Sequence, residues 1–141
     1  MSKLEGAIFP IPHYLTHGLF SGGPKIFVKY LPHNSTRLVK GNKIIFYESR
    51  GSKCLIGEGV VNSIEFLTPK EVIKNYKNLL FLSEEQFEDY VKLRTNHDPS
   101  KKMLTMKLTN IKKYATPIKY KNTITMAGKY IGINEFRSIT E

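Results

Sequence analysis

Side chains able to do chemistry are concentrated in two short runs of this sequence, Lys25-Ile26-Phe27-Val28-Lys29-Tyr30 and Lys43-Ile44-Ile45-Phe46-Tyr47-Glu48-Ser49-Arg50. Both are rich in β-branched and aromatic residues, so each is expected as a strand with successive side chains on opposite faces. Lys25, Phe27 and Lys29 then share one face of the first, with Val28 and Tyr30 on the other. In the second, Lys43, Ile45, Tyr47 and Ser49 share a face opposite Ile44, Phe46 and Glu48. Most of these rings are expected to serve a core. Tyr47, Ser49 and Arg50 differ, because a ring beside a guanidinium at a strand end offers an unstacked base a surface to stack on and donors for its edge.

Other constellations carry less. His13 and His17 lie four apart, but a third metal ligand would have to come from His33 or His97, and no acid is placed by spacing, so no metal site is expected. Gly57-Glu58-Gly59 starts like a dinucleotide-binding fingerprint, yet Asn62 stands where the third glycine belongs and more strand follows instead of a helix. There is no Gly-Lys-Ser/Thr loop either, so no nucleotide cofactor is expected. Cys54, in Lys53-Cys54-Leu55-Ile56, reads as a small buried hydrophobe rather than a nucleophile. A Gly-x-Ser-x-Gly elbow is absent.

Charge supplies the broader signal. The chain has 141 residues with 22 Lys+Arg against 12 Asp+Glu, a formal charge of +10. Residues 1–47 hold six bases and one acid, residues 48–98 seven bases and nine acids, and residues 99–141 nine bases and two acids. Between Asp98 and Glu135 there are eight lysines and no acid. If the two basic ends share one sheet, their lysines merge into a field that concentrates polyanions, with phosphate neutralisation making binding salt-dependent. An anionic membrane fits less well, since no basic amphipathic helix is evident. A single Cys excludes an internal disulfide, and no apolar run approaches the ~20 residues of a membrane-spanning helix. The start, MSKLEGAIFPIP, lacks the pattern of a signal peptide, so the expectation is a cytoplasmic protein, one domain over residues 1–141.

The elements that must position these residues follow from punctuation. A strand is expected at Ala7–Ile11 and a short helix at His13–Phe20, stopped by Ser21-Gly22-Gly23-Pro24. Strands follow at Lys25–Leu31, Lys43–Ser49 and Cys54–Phe66, with a turn at Lys40-Gly41-Asn42 and a bulge or bend at Gly57 and Gly59. Two helices have clear starts. Thr68-Pro69-Lys70-Glu71 combines a capping box with proline at the first helical position, and Ser83-Glu84-Glu85-Gln86 repeats the arrangement. They carry most of the acids and are expected on the side away from the lysines. After a loop at His97–Ser100 come a strand at Met103–Leu108, an irregular stretch at Ile111–Tyr120 broken by Pro117, and a short strand at Thr123–Met126 followed by Gly128–Ile131. This order is neither a doubly wound sheet nor a helical bundle; it fits an α+β fold, a small curved sheet or barrel with peripheral helices.

In order and spacing the same residues resemble the PUA-like superfamily, especially its ASCH and EVE branches, and within it most resemble an archaeal branch. ASCH domains carry G-x-K-x-x-E-x-R; here Gly23 and Lys25 match, while Val28 replaces the Glu and Tyr30 the Arg. Lys40-Gly41-Asn42 resembles the turn before the next strand, Phe46-Tyr47-Glu48-Ser49 an EVE strand end, and Ile56-Gly57-Glu58-Gly59-Val60-Val61 the strand after it. The resemblance covers residues 7–66 and, loosely, the C-terminal strands. It implies a small β-barrel of five to seven strands with peripheral helices and a cleft for a nucleobase, often a modified one, in RNA or DNA. Some relatives of that kind are hydrolases acting on acetylated cytidine or RNA, using a Lys and a Glu alongside a Thr. Lys25 would correspond to the Lys, but Val28 occupies the Thr position and has no hydroxyl.

Two readings result. In the leading one the domain binds RNA or a modified nucleobase, or single-stranded DNA, without catalysis. Lys25, Lys29, Lys43 and Arg50 then meet phosphates or base edges, Tyr30 and Tyr47 stack, Ser49 hydrogen-bonds, and Lys112, Lys113, Lys119 and Lys121 extend a phosphate track. In the alternative it is a hydrolase, a nucleoside amidohydrolase or an RNase, with Lys25 and Glu48 or Glu58 as its polar pair.

Overall fold

Capping chemistry places the central helices where the sequence puts them. In the computed structural model, which describes residues 4–31, 35–50, 52–95, 100–121, 124 and 128–140, the Thr68 hydroxyl accepts from the Glu71 N–H while the Glu71 carboxylate accepts from the Thr68 N–H. This starts α2, Pro69–Tyr76. Ser83 and Gln86 make the same reciprocal pair, at 2.9 and 3.1 Å, ahead of α3, Glu84–Thr95. Each box satisfies two N–H groups that a helix start would otherwise leave bare.

Six strands form one mixed sheet: β1 (Leu4–Pro12), β2 (Lys25–Lys29), β3 (Lys43–Arg50), β4 (Cys54–Leu67), β5 (Met103–Lys119) and β6 (Lys129–Gly132), in the order β2-β5-β4-β3-β1-β6. β1 runs parallel to β3; the other neighbours are antiparallel. A tight turn at His13–Leu15 and the one-turn α1, Thr16–Leu19, follow β1, and α4, Ile133–Thr140, follows β6. The class is α+β and the strand count lies in the expected range. The sheet is not closed into a barrel, since β1 and β2 form no ladder with each other. It curls strongly nonetheless. A flat sheet would hold strands four places apart at ~19 Å, yet Phe9 of β1 and Phe27 of β2 stack with ring centroids 5.6 Å apart.

Strand alternation divides the apolar residues between two cores. Ala7, Phe9 and Ile11 of β1, Ile44 and Phe46 of β3, and Phe27 of β2 enter the larger one, inside the curl, with Phe81 and Phe87. Ile8, Ile45, Tyr47, Leu55, Ile124 and Ile131 enter a smaller one on the outer face, packed against Tyr114, Tyr120, Phe136 and Ile139. The alternation expected for Lys43–Glu48 is therefore observed.

Two expectations at the C-terminal end change. The stretch 111–120 is strand, not irregular: β5 runs 17 residues through Pro117. Between the pairs Leu55↔Ile118 and Gly57↔Lys113 the register shifts, leaving extra residues on β5 that include Pro117, and a proline without an N–H is tolerated at such a bulge. Gly57 is required there, because a Cβ would lie 2.5 Å from the Lys112 carbonyl oxygen and 2.6 Å from the Phe20 ring. The second change is α4, which follows β6 where no helix is expected; Phe136 and Ile139, three apart, turn one face to the outer core. Of the strand expected at 123–126, all but Ile124 lies outside the described residues, as do His33 and His97.

The outer side of β2 is covered. Phe81 N–H donates to the Ile26 carbonyl at 3.2 Å, Leu80 bridges Ile26, and the Tyr30 N–H donates to the Tyr90 hydroxyl at 2.8 Å. Among the described residues no helix is long and apolar enough to cross a membrane.

Candidate functional site

Because β1 and β2 approach without pairing, a gap remains between them, and α3 lies across it. The resulting cleft encloses about 300 Å³, at the small end of ligand-binding cavities. Pro10, Ile11 and Pro12 of β1 form one wall and Phe27, Val28 and Lys29 of β2 another. Two prolines in β1 suit this place, where the strand runs past the end of β6 and is paired on one side only, with β3. The third wall is one face of α3, with Gln86, Asp89, Tyr90 and Leu93 at helical spacing. α3 was expected away from the lysines; instead it faces the cleft that holds Lys29.

The polar groups here are few: Lys29, Ser49, Gln86 and Asp89 line otherwise apolar walls. Lys29 is 5 % exposed, and its Nζ lies 5.5 Å from the centre of the Phe9 ring, so its charge is partly met by the ring's negative face. At the rim stand Tyr14, 65 % exposed, and Leu93, 80 % exposed. Tyr14 falls within the short helix expected at His13–Phe20. Its own signal, a tyrosine directly after Pro-His in a helix too short to bury every face, could have marked it.

Beside the rim, Glu48 is tied down. Its carboxylate bonds His13 Nδ1 at 2.9 Å and accepts the Ser52 N–H at 2.8 Å. Burial pushes this carboxyl up, but the Ser52 and His13 hydrogen bonds together outweigh it, so Glu48 lies below its ordinary range. A carboxylate held in this way is a poor proton donor.

The other residues singled out from sequence distribute themselves as follows. Lys25 opens β2 opposite Leu108. Tyr30 stacks on Tyr90, centroids 5.5 Å apart, with Lys101 Nζ 5.6 Å from its ring. Tyr47 is 7 % exposed in the outer core, edge-on to Tyr120, which leaves its ring no open face for a base. Arg50 closes β3 opposite Pro12, and its side chain lies outside the described residues. Lys112, Lys113, Lys119 and Lys121 are exposed along and just beyond β5. Of the cluster Lys25, Tyr47, Ser49 and Arg50, the described part of the cleft contains Ser49; Lys29 joins it from the other strand.

Lys43 has a different setting. Its Nζ is 3.5 Å from the Glu58 carboxylate and 4.7 Å from the centre of Phe136. The Tyr114 hydroxyl donates to the other Glu58 oxygen at 3.0 Å. Burial, and then the neighbouring carboxylate, raise the Tyr114 phenol far above its ordinary range, so it stays a donor. Lys129 bonds Glu135 at 2.8 Å and Tyr120 at 3.2 Å, hydrogen bonds that raise its pKa. These groups fasten α4 and the segment before it to the sheet. Among the described residues no group of three or more His, Cys, Asp or Glu is placed to hold a metal ion.

A curled mixed sheet flanked by helices is the ASCH-like, PUA-like fold. An ASCH protein of Zymomonas mobilis superposes with a TM-score of 0.74 over 94 % of this chain and 92 % of that one at 17 % identity. A single-substitution form of it gives 0.78 over 98 % and 96 % at 16 % identity. The N-terminal domain of McrB from Staphylothermus marinus gives 0.56 over 99 % and 97 % at 20 % identity. Sequence narrows the class to one family. The model of the family described as a domain of unknown function, DUF365, matches residues 4–133, and the chain belongs to that family. Its curated relatives include the uncharacterized protein MJECS03 of Methanocaldococcus jannaschii, 36 % identical over 103 residues, 69 % of this chain and 95 % of that one.

Proposed function

We propose that the domain binds RNA or a modified nucleobase in the cleft between β1, β2 and α3, without transforming it. The observation that carries this reading is a small cavity with apolar walls, four polar side chains and an exposed tyrosine at its rim, in a chain of charge +10. A flat ring gains from apolar walls, and a few placed polar groups fix its orientation. Lys29 and Ser49 contact the base, and Tyr14 takes the stacking role first assigned to Tyr30 and Tyr47. Lys25, Lys112, Lys113, Lys119 and Lys121 meet the backbone phosphates. The ASCH-like fold is in keeping with this reading.

The hydrolase reading has less support. Val28 lines the cleft where the resemblance calls for a threonine, and the Glu48 carboxylate is engaged by His13 and Ser52.

The test is fluorescence titration with mixed-sequence single-stranded RNA at two salt concentrations. Binding should weaken with salt, and replacing Lys112 and Lys113 by alanine should lower the slope of log K against log salt by roughly 1 each. No binding of RNA or single-stranded DNA at low salt overturns the proposal. Turnover of acetylated cytidine or of labelled RNA, lost in Lys25→Ala, overturns its non-catalytic part.

A further inference from the structure

Tyr47 is buried, yet an exposed ring beside a guanidinium does occur, at Tyr130 and Arg37. Tyr130 of β6 is 38 % exposed, and the Arg37 guanidinium carbon lies 5.1 Å from the centre of its ring. The two residues are tied by their other atoms. The Tyr130 hydroxyl accepts the Arg37 N–H at 3.1 Å and hydrogen-bonds the Thr36 hydroxyl at 3.1 Å. Thr36 in turn accepts the N–H of Leu38, a residue buried in the larger core. Those bonds hold the loop to β6 without the guanidinium. Arg37 itself is exposed, and no ion pair among the described residues involves it. Lys40 is exposed in the same loop, and the chain has no acid between Glu5 and Glu48.

Strand register puts this pair on the same side of the sheet as the cleft. Tyr130 stands opposite Ala7, whose side chain enters the core inside the curl, and cross-strand partners share a face. The cleft wall begins at Pro10, three residues further along β1, roughly 10 Å away at the usual strand rise. Unpaired bases stack on aromatic rings and on guanidinium planes alike. We infer that Arg37 and Tyr130 form a stacking platform for a second unpaired base of the strand whose neighbour sits in the cleft. Stacking is tolerant of sequence, because every base has a π-face. The platform therefore adds affinity for single strands without adding a base preference. The inference rests on the nucleic-acid reading above and adds a second contact outside the cleft.

The experiment titrates the full chain with a short fluorescent single-stranded RNA and with the same ribose-phosphate chain lacking its bases. Arg37→Lys keeps the charge and removes the plane. It should weaken RNA binding about fivefold or more, the lower end for one lost stack. The slope of log K against log salt should stay the same, and binding of the base-free chain should not change. Tyr130→Phe removes the hydroxyl that ties the loop and should lower the urea midpoint, whereas Arg37→Lys should leave it in place. RNA binding untouched by Arg37→Lys, or weakened equally for both chains, overturns the platform and leaves the RNA reading standing. A urea midpoint lowered by Arg37→Lys as far as by Tyr130→Phe makes the guanidinium a brace and overturns the platform too. Absence of RNA binding by the unsubstituted chain overturns both.

Discussion

Lys29 and Lys43 stand on strands of the same sheet, each with its ammonium close to a phenylalanine ring, 5.5 Å from Phe9 and 4.7 Å from Phe136. Their surroundings diverge. Around Lys43 the partners close on one another: Glu58 takes the ammonium and the Tyr114 hydroxyl, and α4 lies over them. Around Lys29 the walls stop short of one another and leave a cavity. A lysine, aromatic rings and carboxylates thus occur on both sides of the sheet. What separates the two settings is how far the neighbouring backbone closes over those groups.

That contrast predicts opposite signatures for substitutions on the two sides. The largest effect belongs to the outer face. Phe136→Ala removes a half-buried ring and the cation–π contact with Lys43, and should lower unfolding free energy by about 2–3 kcal/mol, read by urea denaturation, with RNA affinity unchanged. If affinity falls instead, the outer face takes part in binding and the division fails. Next comes the cleft rim. Tyr14→Ala should cost about 1–3 kcal/mol of RNA affinity, the scale of one base–ring stack, while shifting stability by no more than about 0.5 kcal/mol as an exposed substitution. Tyr114→Phe leaves Glu58 one donor short in a buried place and should destabilise by about 1–2 kcal/mol, measured in the same denaturation series.

The smallest effect concerns pH. Glu48 is more acidic in the fold than in an unfolded chain, so its contribution to stability is complete above the ordinary carboxylate range. It is lost as pH falls through the depressed folded value. Melting temperatures followed down from neutral pH should drop along an acid limb that Glu48→Gln makes shallower. An unaltered limb would mean that the His13 and Ser52 contacts do not hold the rim.

Much of the frame was legible because its signals are local. Thr68 and Ser83 announce helix starts through groups three residues away, and the alternation in Lys43–Glu48 assigns inner and outer faces without knowledge of the partners. The C-terminal third was less so. Pro117 reads as a strand breaker unless one knows that β4 leaves room for extra residues opposite Leu55–Gly57, which is a property of two strands together. Tyr47 shows the same limit at the site. Its neighbours Ser49 and Arg50 suggest exposure, but Tyr120 and the C-terminal segment, some 70 residues on, cover it. Lys29 and Ser49 reach one cleft because β1 and β3 run parallel and the sheet curls, and no spacing in the chain encodes that meeting.

The segment from Leu80 to Tyr90 has two duties: it occupies the free hydrogen-bonding side of β2 and it supplies a wall of the cavity. An occupant too thick for the gap would have to prise that segment outward. The amides so uncovered would be a template on which another molecule's strand could grow. Widening this cavity and keeping the edge of β2 covered are thus opposed in this architecture.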